Sequence, residues 1–181
     1  MRNEGSTWGR LAGGARRLAA RLRGGGGERL ALRIQGVWEI ACGPVGPDGR
    51  VQAHTVRRHE VNLVVNAGLD AIKDRLLNPA TVVALFGFIA IGTDATPEAA
   101  GQTALGAEVA RGAVTYTAGG TGVATIERTF AAGVGTGAIT EAGAFNDAAA
   151  GTMLNRKTFA AVNKAAGDTL KASCVLTIAP A

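Results

Sequence analysis

Ile139-Thr140-Glu141-Ala142-Gly143-Ala144-Phe145-Asn146 is the stretch on which the fold turns. A Gly-rich segment, residues 131–137, leads into it, and a loop over 146–151 leaves it. The runs on either side alternate between apolar and polar residues and close on Gly, Asn or Asp, which is how an antiparallel sheet is written. Within the stretch, Ala142, Gly143 and Ala144 are small enough to let a neighbouring strand or subunit approach closely. Glu141 is its one charged residue, with no His or second carboxylate nearby in sequence. It is expected as a hydrogen-bonding or subunit-contact residue, not as a catalytic acid.

Working outward, period-two segments recur. Leu32, Ile34, Trp38, Ile40 and Cys42 share one face of a strand, followed by a Pro-Asp-Gly turn whose Asp48-Gly49 supplies a positive φ. Residues 51–60 return as a more polar strand with His54 and His59 on opposite faces, read as solvated edge histidines. Asn66 is expected to cap a helix with Leu69, Ile72 and Leu76 on its apolar face, stopped by Asn78-Pro79. Asp70 and Asp74, one turn apart, read as a solvated face. Residues 82–91 form a continuous apolar run that predicts a fully buried central strand. Residues 103–111 are either an extended connection or a short helix. A hairpin over 112–117 and 123–130, a strand over 152–161 and a final strand with Leu170, Ala172, Cys174, Leu176 and Ile178 on one face complete the pattern.

The 181 residues are enough to bury a core without staples. Aromatics make up only 4%, while Gly, Ala and Thr are frequent; small residues between Gly-rich turns suit a thin sandwich or barrel, although codon usage in a GC-rich genome would also enrich Ala. The net charge of +5 sits entirely in residues 1–23, which hold six Arg and one Glu; the rest is neutral. Residues 1–27 are therefore set apart as a basic amphipathic arm with a Gly tether, and 28–181 as the β body. In the arm, Trp8, Leu11, Leu18 and Leu22 fall on one helical face, with Arg16, Arg17 and Arg21 on others. That stripe is expected to dock on a partner protein, since a short isolated helix is marginal in water; the alternative is a leader without fixed structure. Without an aromatic platform beside the arginines, nucleic acid is disfavoured, as is a membrane surface.

Tests for chemistry fail one by one. Gly133-Val134-Gly135-Thr136-Gly137 completes neither a dinucleotide fingerprint nor a phosphate loop, because no helix and no Lys follow. No Ser sits in a nucleophile elbow. Cys42 and Cys174 are expected as two buried thiols without a His partner on the same strand face. No catalytic, cofactor-binding or metal-binding residue, cofactor or small-molecule substrate is therefore expected. A hydrolase would require Glu141, Asp147 and either His to converge in a cleft.

Several phrases occur in order: residues 62–70 (Asn-Leu-Val-Val-Asn-Ala-Gly-Leu-Asp), 88–93 (Phe-Ile-Ala-Ile-Gly-Thr), 103–111 (Thr-Ala-Leu-Gly-Ala-Glu-Val-Ala-Arg), 139–146, 151–159 (Gly-Thr-Met-Leu-Asn-Arg-Lys-Thr-Phe) and 162–164 (Val-Asn-Lys). Together, over about residues 32–178, they resemble small virion structural proteins of tailed bacteriophages: head decoration or cement proteins, head spikes, collars and tail appendages. The residues read as an antiparallel β-sandwich with one short helix, and the resemblance implies an all-β, jelly-roll-like body assembled as a symmetric homo-oligomer, often a homotrimer, without enzymatic activity. It implies a chain made in the host cytoplasm that ends on the particle surface among other virion proteins. The Arg-rich arm is not part of the resemblance. The leading expectation is a capsid decoration, cement or head-spike protein anchored through its arm. The alternative is a tail or collar fibre module that binds a host receptor or glycan through loops 92–101, 119–122 and 146–151.

Overall fold

The computed structural model describes residues 32–180; the arm expected over 1–27, with its Trp8, Leu11, Arg16, Arg17, Leu18, Arg21 and Leu22, lies outside the described residues, as do the side chains of Leu32 and of residues 57–60, His59 among them. Ten strands and one helix follow in order: β1 (Leu32–Gly43), β2 (Thr55–Val61), β3 (Leu63–Val64), α1 (Asn66–Leu77), β4 (Phe88–Gly92), β5 (Glu108–Ala113), β6 (Thr115–Ala118), β7 (Val123–Phe130), β8 (Gly137–Phe145), β9 (Met153–Lys164) and β10 (Thr169–Pro180). They form two five-stranded sheets, ordered β2-β1-β10-β7-β6 and β3-β9-β8-β4-β5. One apolar core draws on both. Trp38, Ile40, Cys42, Ile126, Phe130, Leu170, Ala172 and Cys174 come from the first sheet, and Ile89, Ile91, Ile139, Ala142, Ala144 and Val162 from the second. The described residues are thus mainly β, two antiparallel sheets with one short helix, consistent with a β-sandwich.

The opening stretch forms the middle of the second sheet, with β8 between β9 and β4. Every residue from Ile139 to Phe145 is buried. A register slip between Ile139 and Glu141 lets Ile139, Ala142 and Ala144 enter the core between the sheets. Phe145 belongs instead to a second cluster with Val65, Ala90, Leu105 and Met153, on the other side of the sheet. Here the closeness that Gly143 permits is to its own chain: a Cβ there would lie 3.1 Å from Leu105 Cδ2 and 3.0 Å from the Asn155 carbonyl oxygen.

Several expectations need correction. The apolar run over 82–91 is a strand only from Phe88; Val82 and Leu85 are 90% and 73% exposed. The Gly87 amide donates to the Leu85 carbonyl, a tight turn that bends the chain before it reaches the sheet. In α1 the buried residues are Gly68 and Ala71, while Leu69 and Leu76 face outward. The helix lies so close to β9 that a Cβ on Gly68 would sit 2.3 Å from the Leu154 carbonyl oxygen; Gly68 and Ala71, with Ile72 packed against the core as expected, make its contact face, and Leu69 and Leu76 do not. Asn66 is the first helical residue and gives no side-chain cap; its amide donates to Ala100 O.

Residues 103–111 resolve into a loop and then β5. Gly112 and Ala113 belong to β5 and not to the expected hairpin. With Val114 alone between β5 and β6, the chain changes sheets there. β9 runs three residues beyond the expected end, to Lys164. The Asp48-Gly49 turn, the 123–130 strand, the helix stop at Asn78 and the two buried free thiols are as expected.

Candidate functional sites

Outside the core, β8 and β9 carry a buried ion pair. Gly143 is opposite Arg156 and Glu141 is opposite Thr158 in their register. Arg156 and Glu141 are both fully buried. Arg156 Nε and Nη2 each lie 2.8 Å from Glu141 Oε2. The remaining donors hold a loop: Arg156 Nη1 donates to Thr96 O at 2.9 Å and Gln102 Oε1 at 3.1 Å, and Nη2 reaches Asp94 Oδ2 at 3.3 Å. Glu141 holds the other end of that loop, accepting the amides of Gly106 at 3.0 Å, Ala107 at 2.8 Å and Asp94 at 3.3 Å. Residues 93–107 are thereby strapped across the outer face of the sheet. Glu98 adds a third fastening, accepting the Thr158 amide and hydroxyl and pairing with Lys157 Nζ at 3.1 Å.

Glu141 is therefore a hydrogen-bonding residue, as one half of its expectation had it. The other half, subunit contact, needs correction: its side chain has no exposed surface, and both oxygens are occupied within the chain. A buried charge that is fully paired and hydrogen-bonded is a fastener; it has no solvent-facing oxygen for acid–base work. Sequence spacing did not reveal its partner, because Arg156 reaches Glu141 only through the β8–β9 register.

The loop over 146–151 is also fastened. Arg111 clasps Glu108 with two hydrogen bonds, donates to the carbonyls of Asp147 and Ala150, and lies 3.7 Å above the Phe145 ring centroid. Asp147 is occupied with the amides of Ala149 and Ala150. The expected glycine turn between β7 and β8 is observed, with positive φ at Gly133, Gly135 and Gly137 and a strand after it.

A second cluster forms where the β1–β2 turn meets the β9–β10 turn. The His54 amide donates to the Cys42 carbonyl at 2.9 Å, fixing the two residues against each other. His54 Nε2 lies 3.0 Å from Asp168 Oδ2, and Nδ1 lies 3.1 Å from Thr55 Oγ1. Asp168 Oδ2 also accepts the Ala165 amide at 3.0 Å. Cys42 Sγ completes a group whose ligand atoms all lie within 4.8 Å of one another. Beside it, nearly buried Lys164 donates through Nζ to Ala131 O at 3.0 Å and Asp168 O at 2.6 Å.

The charges here shape one another. Burial pushes the Cys42 thiol up, the Asp168 carboxylate adds to that rise, and Lys164 opposes it. Burial lowers Lys164, against the pull of Cys42 and Asp168. The His54 hydrogen bond, then the Ala165 amide, hold Asp168 below the usual carboxylate range. Thus His54 is not simply a solvated edge histidine, and Cys42 does have a histidine close by. The turn between Cys42 and His54 hinted at their meeting, but Asp168 arrives only because β10 lies next to β1. Glu141, Asp147 and His54 are each held by different partners, and the side chain of His59 lies outside the described residues.

These features define a mainly β module whose loops are fastened by buried charge. Comparison with protein families, with curated proteins and with solved structures found no match.

Proposed function

We propose that the chain is a structural component of a bacteriophage particle, a capsid decoration, cement or head-spike protein made in the host cytoplasm and carried on the particle surface as a homo-oligomer. The observation that carries this is the apolar surface around the end of α1. Leu76, Leu77, Val82 and Leu85 are all more than two-thirds exposed within a short span of chain. Large exposed apolar side chains this close together in sequence on a neutral body suit a protein contact. The ordered phrases across 32–178 point to the same class. The chain changes sheets at β2–β3, β5–β6, β7–β8 and β9–β10, which supports a jelly-roll-like body. The amphipathic pattern of residues 1–27 supports an arm that docks on a neighbouring shell protein, each buried large side chain adding about 1.5–3 kcal/mol and several copies adding avidity.

Deleting residues 1–27 should leave a folded oligomer that no longer occupies particles; undiminished occupancy would refute the anchor. A second function, a tail or collar module that binds a receptor or glycan, is favoured by one observation. Tyr116 is 64% exposed beside the 119–122 turn, in a shallow depression with Gly119, Gly122 and Val123. Binding of the body to host cells, lost in Tyr116→Ala, would select that function; binding only to undecorated heads would select the first.

A further inference from the structure

We propose that Cys42, His54 and Asp168 form a site for one zinc ion, stapling the β1–β2 turn to the β9–β10 turn. Sulfur, imidazole nitrogen and carboxylate oxygen are the three donor types zinc takes, and three protein ligands leave a fourth position for water. The distances fit. Zinc–nitrogen and zinc–oxygen bonds of about 2.0–2.2 Å place two tetrahedral ligand atoms about 3.3 Å apart. His54 Nε2 and Asp168 Oδ2 already stand at 3.0 Å. A zinc–sulfur bond of about 2.3 Å sets the edges to sulfur near 3.6 Å, which the Cys42 Sγ reaches by closing at most about 1.2 Å from the outer limit of 4.8 Å.

The surroundings are those of a ligand set held in place. A metal-binding imidazole normally donates its second N–H to a fixed acceptor, which sets the tautomer. Thr55 Oγ1 stands at that position opposite His54 Nδ1. The Ala165 amide orients the Asp168 carboxylate, and the Cys42 carbonyl holds the His54 backbone. His54 is 46% exposed, giving an ion a way in, while Cys42 is fully buried. On binding, the Cys42 thiol gives up its proton to solvent, so the ion meets a thiolate, a carboxylate and a neutral imidazole. Lys164 is the opposing element. Its ammonium binds two carbonyls and not the ligand atoms, so it leaves them open while repelling the cation.

The test uses the full chain, expressed without a histidine tag and titrated with cobalt(II) as a spectroscopic substitute for zinc. The expected result is a thiolate-to-cobalt charge-transfer absorption that saturates at one ion per chain and is displaced by zinc. Cys42→Ser and His54→Ala should abolish it; the second alters a half-exposed side chain, so a folded variant tests the site even if the first misfolds. Thr55→Val should weaken binding by about 10–100-fold, Lys164→Gln should tighten it, and Cys174→Ser should leave the absorption in place. Absence of thiolate–cobalt absorption in the folded wild-type chain would overturn the proposal, as would absorption that survives His54→Ala at unchanged affinity.

Discussion

Glu141→Gln is the sharpest perturbation of the strap. The change is nearly isosteric, so its cost is electrostatic. The two oxygens serve different donors: one accepts the Ala107 and Asp94 amides, the other Arg156 and the Gly106 amide. A carboxamide has one acceptor oxygen and one NH₂. In either orientation its NH₂ faces donors, and Arg156 keeps its buried charge without a full counter-ion. Breaking a buried pair by removing one partner costs about 3–5 kcal/mol. At about 2–4 °C per kcal/mol for a chain of this size, the thermal midpoint should fall by about 6–20 °C.

Urea unfolding gives the free energy from the midpoint, and hydrogen exchange of residues 93–107 reports whether the strap opens locally. Arg156→Met should cost a similar amount. The double variant should cost less than the sum by about 0.5–3 kcal/mol, because the two side chains act on one another. A Glu141→Gln protein within about 0.5 kcal/mol of wild type, with the 93–107 amides still protected, would refute the account of the pair as the fastener.

Gly68→Ala should destabilise by about 1–3 kcal/mol, read by thermal unfolding, because the new Cβ meets the Leu154 backbone and the helix must shift; an unchanged midpoint would mean α1 does not sit that close. Acid should loosen the strap. Burial alone would raise Glu98, but hydrogen bonds from its own amide and the Thr158 amide, with Lys157, outweigh it and hold the carboxyl below its ordinary value. A depressed carboxylate contributes stability above its unfolded pKa and loses it as pH falls through the folded value. Glu98→Gln should therefore flatten the decline of the midpoint below the ordinary glutamate range, and an identical slope would contradict this. Burial drives the Cys174 thiol up to about 12, with a hydrogen bond from Asn155 opposing. Alkylation of Cys174 at neutral pH should accordingly follow global unfolding, and rapid labelling of the folded chain, read by peptide mass mapping, would count against its enclosure.

What the sequence made legible was whatever obeys a local period. The buried half of β10 follows from alternation, β8 from the turns that bracket it, and the Asp48-Gly49 turn from its dipeptide. The run over 82–91 misled because apolar content cannot report the turn at Leu85–Gly87 that withholds half of it from the sheet. The face of α1 misled because glycine, silent on any apolar scale, makes the closest contact. Glu141 was visible as an isolated charge in a core strand, while its partners, Arg156 and the amides of 94, 106 and 107, come from separate segments. Cys42, His54 and Asp168 were each passed over singly, since their association depends on β1 and β10 being neighbours.

The strap also bears on time. Its fasteners join residues far apart in the chain: Arg156 and Thr96 are separated by 60 positions, Arg156 and Asp94 by 62. Such links require β8 and β9 to be paired first, and long-range closure is slow to be rewarded during folding. They are therefore expected to close after the folding transition state, with φ-values near zero for substitutions in residues 94–107. Interactions of that kind leave the folding rate nearly untouched and slow unfolding instead. The Arg156 bonds to Thr96 and Asp94 are thus expected to act as a brake on unfolding, setting how long the folded chain persists once formed.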